Sequence, residues 1–223
     1  PRLQSVENGA LIVIKLPEQE LLAIVGSPAP MSDVSGYKIN MAIEPRPIGS
    51  TIKPFIYAKA FEKGARPYTR VLDKEYKYTI GSGFALYPKN FDEQYHGLVT
   101  LHFALSNSLN VPSVKVLEYV ELPELYDFLS KDLGFKPLQP LSNYQLGIAL
   151  GALEMDLLTL STYFTIFPQH GVLKPLVISY SEKAPQHLTP PMSEAVVQKQ
   201  VIREEFAELV NKILTDRATG VEQ

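Results

Sequence analysis

Apolar and polar positions divide the chain into a hairpin followed by a series of helices. Short apolar runs at residues 10–15 and 20–25 are joined by the turn-length link 16–19. Two such runs around a short polar link predict an antiparallel hairpin with one buried face. Residues 26–49 are rich in Pro, Gly and Ser, which predicts a loop.

A helix is predicted after this loop, from about Ser50 to Gly64. Apolar residues recur there at near-helical spacing, at Ile52, Phe55, Ile56, Ala60 and Phe61. Pro54 is tolerated only in the first turn of a helix, where its missing N–H has no partner to lose. The proline therefore places the start of the helix close to Ser50.

The rest of the chain predicts more helices and one further strand. Residues 65–97 are predicted to be irregular, and residues 173–180 to form a strand. Helical spacing occurs at 98–107 (with Thr100 as a candidate cap), Pro112–Val120, Pro123–Gly134, Met155–Phe167 and Gln200–Arg217. This order predicts a mixed α/β domain with an incomplete sheet.

The amino-acid composition excludes several classes of function. The chain has 223 residues with 24 acidic and 21 basic side chains, so it lacks the basic excess typical of nucleic-acid binders. It has no cysteine, which excludes disulfide scaffolds and thiol nucleophiles. No apolar run reaches the roughly 20 residues that span a bilayer. The four histidines have no metal-ligand spacing, so no metal is predicted.

Ser50 and Lys53 form the first candidate for chemistry. At a helix start, residues three apart lie on one face, so the Lys53 amine is expected to reach the Ser50 hydroxyl. The helix dipole and partial burial both disfavour the ammonium form, and a neutral amine is a competent base. A second match to this spacing, Ser35 and Lys38, falls in a Gly-rich loop where the spacing fixes no geometry.

Ser108-Leu109-Asn110 is the second candidate and the only Ser-x-Asn sequence in the chain. It falls between two predicted helices, where polar side chains can project into a cleft. A solvated lysine, a capping serine and a turn that favours Ser and Asn remain the alternative interpretation of both motifs.

Together the motifs and their flanks resemble the penicillin-binding transpeptidases. The segment 45–55 resembles their nucleophile segment, and 99–114 resembles their second motif. The hairpin from Gly9 to Gly26 and the segments 87–91 and 149–154 are also similar. The flanks favour the transpeptidase half of the bifunctional (class A) proteins over the serine β-lactamases, which share both motifs.

This resemblance implies a fold and a set of residue roles. The implied fold is a penicillin-binding transpeptidase/serine β-lactamase-like α/β domain over residues 1–223, an antiparallel sheet with flanking helices. Ser50 is implied as the nucleophile that forms an acyl-enzyme with a D-Ala-D-Ala peptide, and Lys53 as the base, an assignment disputed in this superfamily. Ser108 is implied as the proton relay to the leaving amine, and Asn110 as a ligand of the acyl chain's amide.

The resemblance also implies partners and a location. Expected partners are peptidoglycan stem peptides, β-lactam antibiotics and a fused glycosyltransferase domain, at the extracytoplasmic face of the cytoplasmic membrane. Membrane association is expected only through segments outside these residues, and no cofactor is implied. Two alternatives stay open, a β-lactamase or D,D-carboxypeptidase and a non-catalytic module that binds peptidoglycan or a partner protein.

One expected motif is missing from the sequence. The family's third motif, Lys-Thr/Ser-Gly on a strand after the last helix, has no match, and Ala218-Thr219-Gly220 has alanine in place of the lysine. The chain is therefore expected to be a partial transpeptidase domain that ends before this strand. Loss of an oxyanion donor alone costs about 100–1000-fold in rate, so the chain by itself is expected to be a poor catalyst or none.

Overall fold

The computed structural model describes residues 8–79, 85–178, 198–216 and 218. Its helices are α1 (Lys53–Glu62), α2 (Leu101–Ser106), α3 (Asn110–Val120), α4 (Leu122–Asp127), α5 (Leu157–Phe164) and α6 (Glu204–Thr215). Its strands are β1 (Leu11–Lys15), β2 (Glu20–Val25), β3 (Arg46–Pro47), β4 (Arg70–Asp73), β5 (Tyr78–Thr79), β6 (Ala85–Leu86), β7 (Gly97–Thr100), β8 (Glu154–Met155), β9 (Val172–Leu173) and β10 (Lys199–Gln200).

In the described part of the chain the strands form five two-stranded sheets, and the two strands of each sheet are antiparallel. The predicted hairpin is confirmed, since β1 pairs with β2 from Leu11 opposite Val25 to Lys15 opposite Glu20, with a register shift between Val13 and Ile14. Its predicted buried face is only half-buried, since no residue of either strand is fully buried. Strand β3 pairs with β8, and β4 pairs with β7. These two ladders bring together segments that are more than 20 residues apart in sequence.

Helix α1 is the centre of the molecule. Eight of its ten residues are buried, and it packs against α3 and α6. It begins directly after a 3₁₀ turn over Gly49–Ile52, with Pro54 in its first turn as expected, and Gly64 follows its end. A helix buried on nearly all sides holds its first residues rigidly, which suits a site that needs fixed geometry.

Several sequence expectations need correction. Residues 65–97 were expected to be irregular, but they include β4, β5, β6 and the first residue of β7. Strand β4 pairs with β7, more than 20 residues further along the chain. The last predicted helix begins at Glu204 and not at Gln200, because Gln200 pairs with Val172 in a ladder. The predicted strand 173–180 is reduced to Val172–Leu173 and a bridge from Val177 to Glu20, and its last two residues lie outside the described part.

Thr100 caps α2 as expected, since its side-chain oxygen accepts a hydrogen bond from the Phe103 N–H at 3.1 Å. Helix α3 begins at Asn110, two residues before the proline that predicted it. The connection from β7 through α2 to α3 is therefore short, and it places residues 107–109 against the start of α1.

Phe55 anchors α1 in the core, and its removal is expected to destabilise the fold. The side chain is 2% exposed, and its ring lies 5.0 Å from that of Phe167 and 5.4 Å from that of Phe164. Phe55→Ala leaves a cavity and is expected to lower the free energy of unfolding by about 3–5 kcal/mol. Phe91→Ala is the control, since that ring is 91% exposed and its loss is expected to change stability by less than about 0.5 kcal/mol. Urea unfolding followed by circular dichroism measures both, and equal losses would contradict this account of the core.

Candidate active site

Ser50 lies on the 3₁₀ turn immediately before α1, with its side chain exposed. The β3–β8 ladder continues into this turn, because the Ile48 N–H donates to the Leu153 carbonyl at 3.0 Å and the Gly49 N–H to the Gly151 carbonyl at 3.1 Å. The hydroxyl is therefore presented to solvent from a backbone that is pinned on both sides, by the ladder before it and by the buried helix after it.

Gly151 is required by this close approach of two backbones. Its φ of +81° is in the left-handed region, and a Cβ built on it would lie 2.0 Å from the carbonyl oxygen of Gly49. Any larger residue must push the Gly49–Ser50 turn away. The sequence reasoning noted Gly151 only as part of a segment similar to the family and did not assign it a role in holding Ser50.

Gly151→Ala is expected to damage the site more than the fold. The displaced Ser50 turn is expected to slow any reaction of the Ser50 hydroxyl by about 100-fold, the typical cost of a misplacement of about 1 Å. Gly134→Ala is the matched control, because Gly134 also has a positive φ, +68°, but a Cβ there meets nothing within 4 Å. The control is expected to cost only the backbone strain, about 1–2 kcal/mol of stability. Comparable reaction rates in the two variants, measured by covalent labelling of the serine, would show that the contact with Gly49 does not matter.

Lys53 is the first residue of α1 and is buried, with 1% of its surface exposed. Its amine donates three hydrogen bonds, to the Ser108 carbonyl at 2.5 Å, the Ser108 hydroxyl at 3.2 Å and the Asn110 side-chain oxygen at 2.7 Å. These use all three donors of an ammonium group. Among the described residues, no hydrogen bond joins Lys53 to Ser50, and no carboxylate pairs with Lys53. The structure thus brings together three of the four residues singled out by sequence, with the fourth on the adjoining turn.

Burial lowers the pKa of Lys53 from its ordinary value of 10.5 to about 7. The cause is desolvation, which penalises the charged amine where no carboxylate offsets the cost. About half of the lysine is therefore neutral near pH 7, and a neutral amine can accept a proton from a hydroxyl.

Ser108 sits in the loop between α2 and α3, in a conformation that a serine rarely adopts. Its φ is +52°, and the N–H groups of Ser108 and Leu109 bond the last turn of α2, donating to the carbonyls of Leu105 and Ala104. Left-handed backbone at a non-glycine residue is held only where the surrounding structure dictates it. The conformation brings both the carbonyl and the hydroxyl of Ser108 to the Lys53 amine.

Asn110 begins α3 and is fixed through three groups. Its side-chain oxygen accepts from Lys53, its side-chain N–H donates to the Lys89 carbonyl at 2.5 Å, and its backbone N–H donates to the Asn90 side-chain oxygen at 2.8 Å. Each polar group of its amide keeps one free position, a lone pair on the oxygen and one N–H, for a further partner. The sequence reasoning did not assign a role to Asn90, because no spacing rule links residues 20 apart.

The competing Ser-x-x-Lys match is not a comparable site. Ser35 and Lys38 lie on exposed turns, and the Lys38 amine forms an ion pair with Asp33 at 3.1 Å. This lysine is neither buried nor in contact with a second candidate motif. The sequence also distinguished the two matches, because it predicted Ser50 at the start of a helix and Ser35 in a Gly-rich loop.

One cluster of possible metal ligands occurs among the described residues, and it was not found from sequence spacing. Ligand atoms of His170, Glu204 and Glu208 lie within 4.8 Å of one another at the start of α6. The His170 Nδ1 lies 3.1 Å from a Glu208 carboxylate oxygen and 3.3 Å from a Glu204 carboxylate oxygen. The side chains of His170 and Glu204 are mostly exposed, and that of Glu208 is about half exposed. Hydrogen bonding between these surface side chains accounts for the arrangement without a metal, and none of the three is among the hydrogen-bond partners of Lys53.

Comparison with known proteins gives consistent similarities. The family model described as "Penicillin binding protein transpeptidase domain" matches residues 9–221. Penicillin-binding protein 1A of Aquifex aeolicus is 33% identical over 175 residues, which are 77% of this chain and 23% of that protein. Penicillin-binding protein 1A of Vibrio cholerae is 36% identical over 148 residues, which are 65% of this chain and 18% of that protein. The chain thus spans about a fifth of the length of these curated relatives.

Solved structures show the same fold. The crystal structure of penicillin-binding protein 1A from Haemophilus influenzae matches with a TM-score of 0.65 and 26% identity, over 75% of this chain and 24% of that one. The transpeptidase domain of Burkholderia pseudomallei penicillin-binding protein 3 matches with a TM-score of 0.68 over 93% of this chain and 61% of that one. Its identity of 19% shows the fold alone.

Proposed function

Because the chain belongs to the penicillin-binding protein transpeptidase family, we propose that it is part of a peptidoglycan D,D-transpeptidase that works through an acyl-enzyme on Ser50. One observation carries this proposal. A buried lysine whose pKa is lowered to about 7 follows the exposed serine by one helical turn and bonds both polar residues of the Ser-x-Asn motif.

Acylation is the first half of the proposed reaction. The Ser50 oxygen attacks the carbonyl carbon of the D-Ala-D-Ala peptide bond while its proton passes to the neutral Lys53 amine. The C–N bond then breaks, and the departing D-alanine amine takes a proton from Lys53 through the Ser108 hydroxyl, which is 3.2 Å from Nζ. The Ser50 backbone N–H, at the start of the helix, donates to the oxyanion that forms in between.

Transfer is the second half. The amine of a neighbouring stem peptide attacks the ester carbon, loses its proton to Lys53 by the same route, and displaces the Ser50 oxygen, which is reprotonated. The product is an amide cross-link and free enzyme. The free lone pair and N–H of the Asn110 amide are placed to bond the amide of the acyl chain, as the family resemblance implies. A β-lactam that imitates D-Ala-D-Ala acylates Ser50 in the same way and stays bound.

The 223 residues hold two of the three motifs that this chemistry uses. A Lys-Thr/Ser-Gly segment is absent from the sequence, and with it a second oxyanion donor and a cation for the substrate carboxylate. We propose that the chain supplies the nucleophile, the base, the proton relay and the amide ligand of a transpeptidase domain whose full rate needs that segment. Activity is therefore tested on the full-length product of the gene, beside the 223-residue chain.

The same resemblance supports the proposed partners and location. We assign peptidoglycan stem peptides as substrates, β-lactams as inhibitors and a glycosyltransferase domain as a fusion partner in the full-length protein, which would act in the cell envelope. None of the described helices has the length and apolar character needed to cross a bilayer.

Cross-link formation tests this function. The full-length product is incubated with peptidoglycan strands that carry pentapeptide stems, and the muropeptides are separated and weighed by mass spectrometry. The expected result is cross-linked dimers with one D-alanine released per link. Release of D-alanine without links would indicate a carboxypeptidase, and absence of both products would favour the non-catalytic module.

A further inference from the structure

A buried carboxylate lies beneath the Ser-x-Asn loop. Asp73, the last residue of β4, has no exposed surface. One of its oxygens accepts two hydrogen bonds, from the Asn90 side-chain N–H at 2.8 Å and from the His96 backbone N–H at 2.9 Å. The other oxygen has no hydrogen-bond partner among the described residues. Burying a carboxyl group with an unpartnered oxygen costs free energy, so its place in the fold calls for an explanation.

Asn90 links this carboxylate to the site and has only one possible amide orientation. Its side chain is 4% exposed, and its NH₂ group donates to Asp73 and to the Gln94 carbonyl, both at 2.8 Å. Its oxygen accepts from the backbone N–H of Asn110 at 2.8 Å. Reversing the amide would face its oxygen toward two acceptors and its NH₂ toward a donor, so the orientation is fixed.

The Asn110 N–H, which donates its hydrogen bond to the Asn90 side-chain oxygen, is one of the first N–H groups of α3. These groups have no hydrogen-bond partner inside the helix. Leu109, the residue before α3, makes no side-chain cap. Asn90 therefore acts as a cap supplied from 20 residues earlier in the chain. The bond fixes the start of α3 at the residue whose side chain meets Lys53.

We propose that Asn90, oriented by Asp73, is a positioning residue for acyl transfer at Ser50. The bonds run without interruption from the Asp73 carboxylate through the Asn90 amide to Asn110, and from Asn110 to the Lys53 amine. Asn90 thereby holds the loop in which Ser108 takes its left-handed conformation. This inference rests on the proposed function, and it adds to that function two residues that touch neither the nucleophile nor the base.

Asn90→Ala in the full-length product is the primary test. Without the cap, the Ser108–Asn110 loop is expected to shift from Lys53 by about 1 Å, which lowers the acylation rate by fluorescent penicillin by about 100-fold. Hydrogen exchange gives an independent readout, since the Asn110 N–H is expected to lose its protection in the variant.

Two substitutions of Asp73 test whether its hydrogen-bond acceptor oxygen is the feature that Asn90 needs. Asp73→Asn keeps an oxygen where Asn90 and His96 donate, so it is expected to retain the acylation rate within about tenfold, whereas Asp73→Ala is expected to fall as far as Asn90→Ala. Gln169→Ala is the control for loss of a buried amide. That side chain is 6% exposed and bonds Gln19 at 2.6 Å, outside this network, so its acylation rate is expected to be unchanged.

Each outcome either supports or overturns the proposed role of Asn90. The inference is supported if Asn90→Ala acylates slowly and its Asn110 N–H is unprotected. Support also requires that Asp73→Asn keeps most of the acylation rate and that Gln169→Ala acylates at the normal rate. A normal rate in Asn90→Ala, or an equal loss in Gln169→Ala, overturns it and leaves the proposed function in place. A wild-type protein that takes up no penicillin overturns the proposed function, and the catalytic meaning of the network with it, even if Asn90→Ala still exposes the Asn110 N–H.

Discussion

Ser50→Ala is expected to abolish covalent labelling of the full-length protein by penicillin. The substitution removes the oxygen that we propose forms the ester, and loss of a serine nucleophile costs on the order of 10⁶-fold in rate. No adduct should therefore appear within hours at a penicillin concentration that labels the wild type in minutes. The fold should be unaffected, because the Ser50 side chain is exposed and makes no hydrogen bond in the described structure.

Ser35→Ala is the matched control for this prediction. Ser35 is also three residues before a lysine, but it lies on an exposed turn with Lys38 paired to Asp33. Labelling of Ser35→Ala should equal that of the wild type. Undiminished labelling of Ser50→Ala would place the nucleophile elsewhere and contradict the assignment of the site.

Lys53→Met is expected to have the second largest effect, a loss of about 10²–10⁴-fold in acylation rate, the usual contribution of a positioned general base. In the wild type the rate should follow the neutral fraction of Lys53. It should be half-maximal near pH 7, where burial sets the lysine pKa, and fall about tenfold for each pH unit below that. A wild-type rate that is flat from pH 5 to 9 would remove Lys53 from the role of base.

The same pKa predicts how stability depends on pH. Lys53 titrates near pH 7 in the folded protein and near 10.5 when unfolded, so between these values the unfolded state holds one more proton. The free energy of unfolding therefore gains a contribution that rises with pH by about 1.4 kcal/mol per unit in this window, and that is lost as the pH falls toward 7. Lys53→Met should lack this slope, whereas Lys38→Met, which removes an exposed lysine, should keep it.

The elements of the fold that are local in sequence could be predicted, and the ones that depend on distant pairing could not. The β1–β2 hairpin follows from two short apolar runs around a polar link, and the start of α1 follows from Pro54. Strand β4 was missed because its four residues acquire regular structure only by pairing with β7, from Asp73 opposite Gly97 to Arg70 opposite Thr100. Short strands carry too few residues for a periodic signal.

The residues of the candidate site also fall into those that the sequence could predict and those that it could not. The Ser50-x-x-Lys53 and Ser108-x-Asn110 pairs could be found because each has a fixed spacing, and the structure brings Lys53, Ser108 and Asn110 into contact. Their proposed roles come from the family resemblance. Gly151 and Asn90 were not assigned roles, since one acts through a contact with a backbone about 100 residues away and the other through a hydrogen bond to an N–H 20 residues away. Neither kind of contact leaves a pattern in the sequence.

The position of the penicillin adduct identifies the nucleophile of the protein. The full-length protein is labelled with penicillin G, digested with a protease, and the modified peptide is sequenced by mass spectrometry. A penicilloyl group is expected on Ser50, in the peptide that also contains Thr51 and Ile52. An adduct on any other residue, or a folded protein that carries none, would contradict the assignment of Ser50 as the nucleophile of an acyl-transfer site.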